Sequence, residues 1–68
     1  MTFKEFIDLC GGEIEIARKI NRHQLTVQRW EKISISAHNY QALIDNFPVT
    51  RKQIDSVNSY IKKAKQNG

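Results

Sequence analysis

Ile16-Ala17-Arg18-Lys19-Ile20-Asn21-Arg22-His23-Gln24-Leu25-Thr26-Val27-Gln28-Arg29-Trp30 is the stretch that decides the fold. Two short helical patterns meet in it. Ile14, Ile16, Ala17 and Ile20 supply the apolar positions of a helix over roughly 13–20. Asn21 follows, and after Gly it is Asn that best tolerates the left-handed backbone conformation. A second helix starts near Gln24, with Val27 and Trp30 at i and i+3 marking its inward side. Ala17 is small where the two helices must approach closely, and Asn21 takes a turn position that usually holds Gly. Two short helices joined by about three residues have the geometry of a helix-turn-helix, which crosses at a steep angle around a tight turn.

The pattern stays helical on both sides of this core. Thr2-Phe3-Lys4-Glu5 fits a capping box, in which the Thr2 hydroxyl caps the helix and Glu5 reaches back. Phe3, Phe6, Ile7 and Cys10 then fall on one helix face. Gly11-Gly12 stops that helix, and Gly12 also serves as N-cap for the next. Glu13 and Glu15 sit in its first turn, where carboxylates suit the helix dipole. Downstream, Ile33-Ser34-Ile35 breaks the periodicity. Ser36 is expected to cap a fourth helix over 37–47, with Ala37, Tyr40, Leu43, Ile44 and Phe47 on one face and Pro48 at its end. Thr50-Arg51-Lys52-Gln53 is a second capping box and opens a fifth helix, about 50–65, bearing Ile54, Val57, Ile61 and Ala64. Residues 65–68 are expected to fray. No stretch alternates cleanly beside a hairpin turn, so strands are not expected. The expected architecture is all-α, a compact five-helix single domain over residues 1–68, with a central helix-turn-helix at about 13–32.

Size and composition narrow the function. A chain of 68 residues has room for one domain. A domain near this length buries only about 60% of the surface of its unfolded chain. Such a core seldom encloses a catalytic pocket. A single Cys excludes an intrachain disulfide, and with two His it falls short of a four-ligand zinc set. No metal, cofactor or small-molecule ligand is therefore expected. No Ser/His/Asp set, carboxylate pair or Gly-rich phosphate loop points to an enzyme. The start, Met1-Thr2-Phe3-Lys4-Glu5, carries an acid early and leads into no apolar run of signal length. The expected location is the cytoplasm, with the nucleoid of a bacterial host. No membrane association is expected.

Eleven Lys+Arg against seven Asp+Glu give a net charge of +4 and a pI near 9.5. The charge is uneven. Residues 1–17 hold four acids and one base, whereas 18–32 hold Arg18, Lys19, Arg22, Arg29 and Lys32 against Glu31 alone. Residues 33–61 balance, and Lys62, Lys63 and Lys65 add a positive end. A basic block in the middle of a helical pair is an electrostatic footprint for phosphate, or else a solvated helix face.

Ala17, the three residues Arg18-Lys19-Ile20, Asn21-Arg22-His23, the three residues Gln24-Leu25-Thr26, then Val27 and Trp30, follow a known pattern. The chain here resembles the phage helix-turn-helix regulators, above all the small Cro-type repressors. Their pattern is roughly Ala, three residues, Gly-Val-Ser, three residues, Val, two residues, Trp. The resemblance extends over residues 3 to 47, taking in the helix that ends at Gly11-Gly12 and the segment Trp30-Glu31-Lys32 to Ile35 with the helix after it. Arg22 departs from the family's apolar residue, and Ser36 from a frequent Pro.

Spacing puts Gln24, Leu25, Gln28, Arg29 and Lys32 on the side of helix 24–32 away from Val27 and Trp30. The resemblance implies that this helix enters the DNA major groove, with base contacts from His23, Gln24, Leu25, Gln28 and Arg29. Gln24 and Gln28 suit adenine N6 and N7, and Arg29 suits guanine O6 and N7 or a phosphate. Leu25 either touches a thymine methyl or packs inward on helix two. His23, at the helix start, either caps it or meets a phosphate. Lys19, Arg22, Lys32 and His38 are the candidate phosphate contacts, and Arg18 and Lys4 are weaker ones. Ala17, Ile20, Asn21, Val27 and Trp30 are read as the motif core.

The implied partner is double-stranded DNA with a pseudopalindromic operator, bound by a homodimer. Val57, Tyr60 and Ile61 of the last helix are the candidate dimer contacts; the alternative is that this helix packs wholly within its own domain. The expected function is a sequence-specific transcription regulator, a phage or prophage Cro-like repressor. Two alternatives stand beside it. One is a phage activator or an excision-type architectural factor. The other is an antitoxin-like interaction module that keeps the fold without binding DNA.

Overall fold

The computed structural model describes residues 1–67, with side chains to Ala64. The described residues fold into five α-helices: α1 Phe3–Leu9, α2 Glu13–Lys19, α3 Gln24–Ile33, α4 Tyr40–Asn46 and α5 Arg51–Asn67. A short 3₁₀ turn, Ala37–Asn39, precedes α4. The described residues form no strand. The domain is all-α, as its apolar periodicity implies.

Local chemistry sets most boundaries. The Thr2 hydroxyl accepts from the Glu5 N–H at 3.1 Å, and the Glu5 carboxylate accepts from the Thr2 N–H at 3.2 Å. These bonds, the backbone one first, hold the Glu5 carboxyl below its ordinary range. Thr50 and Gln53 repeat the exchange ahead of α5. Both α1 and α2 end in the same closure. Gly12 N–H donates to Ile7 O at 2.9 Å and Gly11 N–H to Asp8 O; Arg22 N–H donates to Ala17 O at 2.9 Å and Asn21 N–H to Arg18 O. This is the Schellman arrangement, which needs a left-handed residue just past the helix. Gly11 at φ 90° and Asn21 at φ 58° fill that role.

The core gathers Phe3, Phe6, Ile7 and Cys10 from α1, Ile16 and Ala17 from α2, Val27 and Trp30 from α3, Leu43 from α4 and Ile54, Val57 and Ile61 from α5. Ile35, Phe47 and Val49 complete it from the connections, and Ile20, Tyr40 and Ile44 pack at its edge. α2 packs chiefly on α3, and α5 lies against α1, α3 and α4. That arrangement fixes α3 on one side only and leaves its other face open.

Several sequence expectations are corrected. The fourth helix does not run over 37–47: the 3₁₀ turn takes its first three residues, and Ala37 is exposed. Ser36 makes no side-chain cap to the backbone there; its Oγ instead accepts from Asn39 Nδ2 at 3.1 Å. Asn39 is the residue buried at this junction, so the turn is closed by a side chain and not by an apolar contact. Ile14 is 68% exposed, because a seven-residue helix on one partner buries only the stripe of Ile16 and Ala17. Ala64 is exposed as well, beyond the last core layer of α5. α5 itself continues to Asn67, past the expected fraying point at 65. Gly68 and the Lys65 side chain lie outside the described residues.

Candidate nucleic-acid interface

The turn between α2 and α3 sets the site. Asn21 adopts its left-handed conformation, Ala17 is buried, and Val27 and Trp30 turn the inner side of α3 into the core. Ile20 is only half-buried and serves as the C-cap of α2. Arg22 is exposed. The turn here is closed by backbone bonds, with the Arg22 N–H donating to Ala17 O at 2.9 Å.

What remains outside is the opposite side of α3. Gln24, Leu25, Gln28, Arg29 and Lys32 are all exposed. Leu25, at 51% exposure, does not pack inward on α2. Leu25, Gln28, Arg29 and Lys32 line one shallow groove on this face. Gln24 lies one helical turn before Gln28, on the same side. The expected phosphate candidates Lys19, Arg22 and His38 are exposed too, on α2, in the turn and in the 3₁₀ turn. Exposure is what they share with the groove.

The charges on this side differ in availability. Arg18 pairs with Glu15 at 2.6 Å, and Lys19 lies 4.0 Å from the other Glu15 oxygen. Arg22, Arg29 and Lys32 have no carboxylate oxygen within 4.0 Å among the described residues. The basic block thus divides into a pair partly neutralised on α2 and three unengaged cations in the turn and on α3. Unengaged cations beside amide side chains are the chemistry that holds phosphate and reads base edges. His23 is the N-cap of α3: its Nδ1 accepts from the Leu25 N–H at 3.1 Å.

Two features escaped the sequence. Ile33, read from the sequence only as part of the break Ile33-Ser34-Ile35, is the last residue of α3 and 64% exposed. A second groove runs between the start of α1, the end of α3 and α5, lined by Phe3, Glu31, Tyr60, Ile61 and Ala64 among others. Of the three expected dimer residues, Val57 and Ile61 lie in the core and only Tyr60, 45% exposed, presents surface. Val57 and Ile61 recur at helical spacing like any core stripe, and spacing alone does not tell an inner layer from an interface.

Among the described residues no group of three or more His, Cys, Asp or Glu is placed to hold a metal ion, and no helix is long and apolar enough to cross a membrane. No protein-family model, curated protein or solved structure matches the chain.

Proposed function

We propose that this chain is a sequence-specific double-stranded DNA-binding transcription regulator, of the phage or prophage Cro-like repressor type that its central motif resembles. α3 enters the major groove; Gln24, Leu25, Gln28 and Arg29 meet base edges, and Lys32 and Arg22 meet phosphates. The observation that supports it is the groove of Leu25, Gln28, Arg29 and Lys32 on the open face of a helix whose other face is fixed by Val27 and Trp30. Repression needs only occupancy of a site overlapping a promoter, and one domain of this size suffices. A homodimer, meeting through the α5 side that carries Tyr60, reads two half-sites.

A second reading has its own observation. Leu25 and Ile33 leave two large apolar side chains on the exposed part of α3, as a surface for a protein partner would. In that case the chain is an antitoxin-like interaction module. Selection of sites from random duplex DNA at moderate salt separates the two. Enrichment of an inverted repeat with half-site centres about 10 base pairs apart supports the dimeric repressor. Direct repeats favour an activator or excision-type factor. No enrichment by folded protein overturns DNA reading.

A further inference from the structure

His23 stands at the first position of the exposed face of α3, and its ring is committed on one side. With φ −70° and ψ 146° it has the extended backbone of an N-cap. Its Nδ1 accepts the Leu25 N–H at 3.1 Å, so the Nδ1 lone pair points into the helix start. A neutral imidazole has one donor and one acceptor nitrogen. With Nδ1 engaged as the acceptor, the proton belongs to Nε2. The residue is exposed, and the atom left for a partner is an N–H donor. The cap also fixes the ring, so little rotamer freedom is lost when that donor is used.

We propose that His23 is a polarity-fixed contact residue: it donates Nε2–H to an acceptor atom of duplex DNA and is barred from contacts that require it to accept. The proposal rests on the DNA reading above. In the major groove the acceptors are purine N7, guanine O6 and thymine O4, whereas adenine N6 and cytosine N4 are donors. Phosphate oxygens are acceptors as well. His23 therefore matches a phosphate oxygen, a purine N7, guanine O6 or thymine O4, and mismatches the amino groups of adenine and cytosine. Its neighbour Gln24 carries both a donor and an acceptor and has no such restriction. The cap and the contact are one device, because the bond that starts α3 sets the sign of what the ring offers to DNA.

Substitution His23→Ser separates capping from contact. Ser is among the best N-cap residues, but its hydroxyl falls short of the place that Nε2 reaches. The variant should melt at or above the temperature of the unmodified protein and bind the selected duplex about ten-fold more weakly, the loss of one hydrogen bond to a DNA acceptor. Two modified duplexes locate the acceptor. A methylphosphonate that removes the His23 dependence identifies a phosphate; a 7-deazapurine, or a base analogue lacking guanine O6 or thymine O4, that removes it identifies a base edge. Unchanged affinity in the Ser variant overturns the contact and leaves the DNA reading intact. If neither class of acceptor modification removes the dependence, and replacing an opposed adenine or cytosine amino group does, the assigned polarity is wrong. Failure of the unmodified protein to bind any duplex overturns the DNA reading and the contact together.

Discussion

The side-chain amide of Asn58 pairs with the Ile35 peptide in both directions. Asn58 Oδ1 accepts the Ile35 N–H at 2.8 Å, and Asn58 Nδ2 donates to Ile35 O at 3.0 Å. The same Nδ2 donates to the Tyr40 hydroxyl at 2.8 Å, which passes its proton's bond to Asp55 Oδ1 at 3.0 Å. Burial and the Asp55 bond push the Tyr40 hydroxyl above its ordinary range, so it remains the donor to Asp55 at neutral pH. Through one amide, α5 thus holds the connection leaving α3 and the first residue of α4.

Asn58→Ala should destabilise the fold by about 2 kcal/mol, because it leaves a partly buried N–H and C=O of Ile35 without their partners. Urea unfolding measures it through the midpoint. A loss under about 0.5 kcal/mol, within the range of an ordinary surface change, would mean that water takes over both bonds and the clamp is incidental.

Ser34, one residue before the clamp, stands at φ 76° and ψ 165°. That region is essentially restricted to Gly and costs other residues about 1–3 kcal/mol. Ser34→Gly relieves it and should stabilise by about 1 kcal/mol after the added chain entropy of Gly. For a domain of this size, that raises Tm by about 4–8 °C. Asn21→Gly is the control, since Asn already tolerates φ 58° and the gain there should be a few tenths of a kcal/mol. Equal gains at both positions would contradict strain at Ser34.

What was legible in the sequence was what local chemistry decides. The Thr2–Glu5 and Thr50–Gln53 exchanges span three residues, and the Gly11 and Asn21 turns need only a tolerated φ. All four are visible as short patterns. The Asn58–Ile35 clamp joins residues 23 apart, and no spacing rule connects a helix-five amide with a loop peptide. The second groove is equally silent, since Phe3 and Tyr60 come from opposite ends of the chain. Leu25 was ambiguous for another reason. Helical spacing allows it either side of α3, and only the packed structure shows it 51% exposed.

Cys10 carries a chemical signature of the core. Burial raises its thiol from 9.0 to about 11, so at neutral pH the reactive thiolate is scarce in the folded state. Alkylation by iodoacetamide should be slow in native buffer and rapid in denaturant, with mass spectrometry counting the modified fraction. Linkage fixes the sign for stability. The folded thiol loses its proton less readily than the unfolded one, so its contribution is intact below pH 9 and falls as pH rises from 9 through about 11. Fast labelling of folded protein would place Cys10 outside the core.

Gln28 and Lys32 lie one turn apart in the same groove, yet different losses are expected from them. Gln28→Ala removes the amide proposed to read adenine and should cost roughly 1–3 kcal/mol on the preferred site, relaxing the choice of base at one position. Lys32→Ala removes a cation with no carboxylate oxygen within 4.0 Å among the described residues. It should weaken binding to all sequences alike and lower the salt slope by about 1. Both side chains are exposed, so neither variant should unfold the domain and each controls for the other. Binding titrations of each variant on the selected and an unrelated duplex, over a range of salt, read both quantities. An equal loss on unrelated DNA for Gln28→Ala would remove it from base reading. A shift in base preference for Lys32→Ala would remove it from the phosphate role. If both variants bind as tightly as the unmodified protein, this face of α3 does not meet DNA, and its exposed Leu25 becomes the place to look for a protein partner.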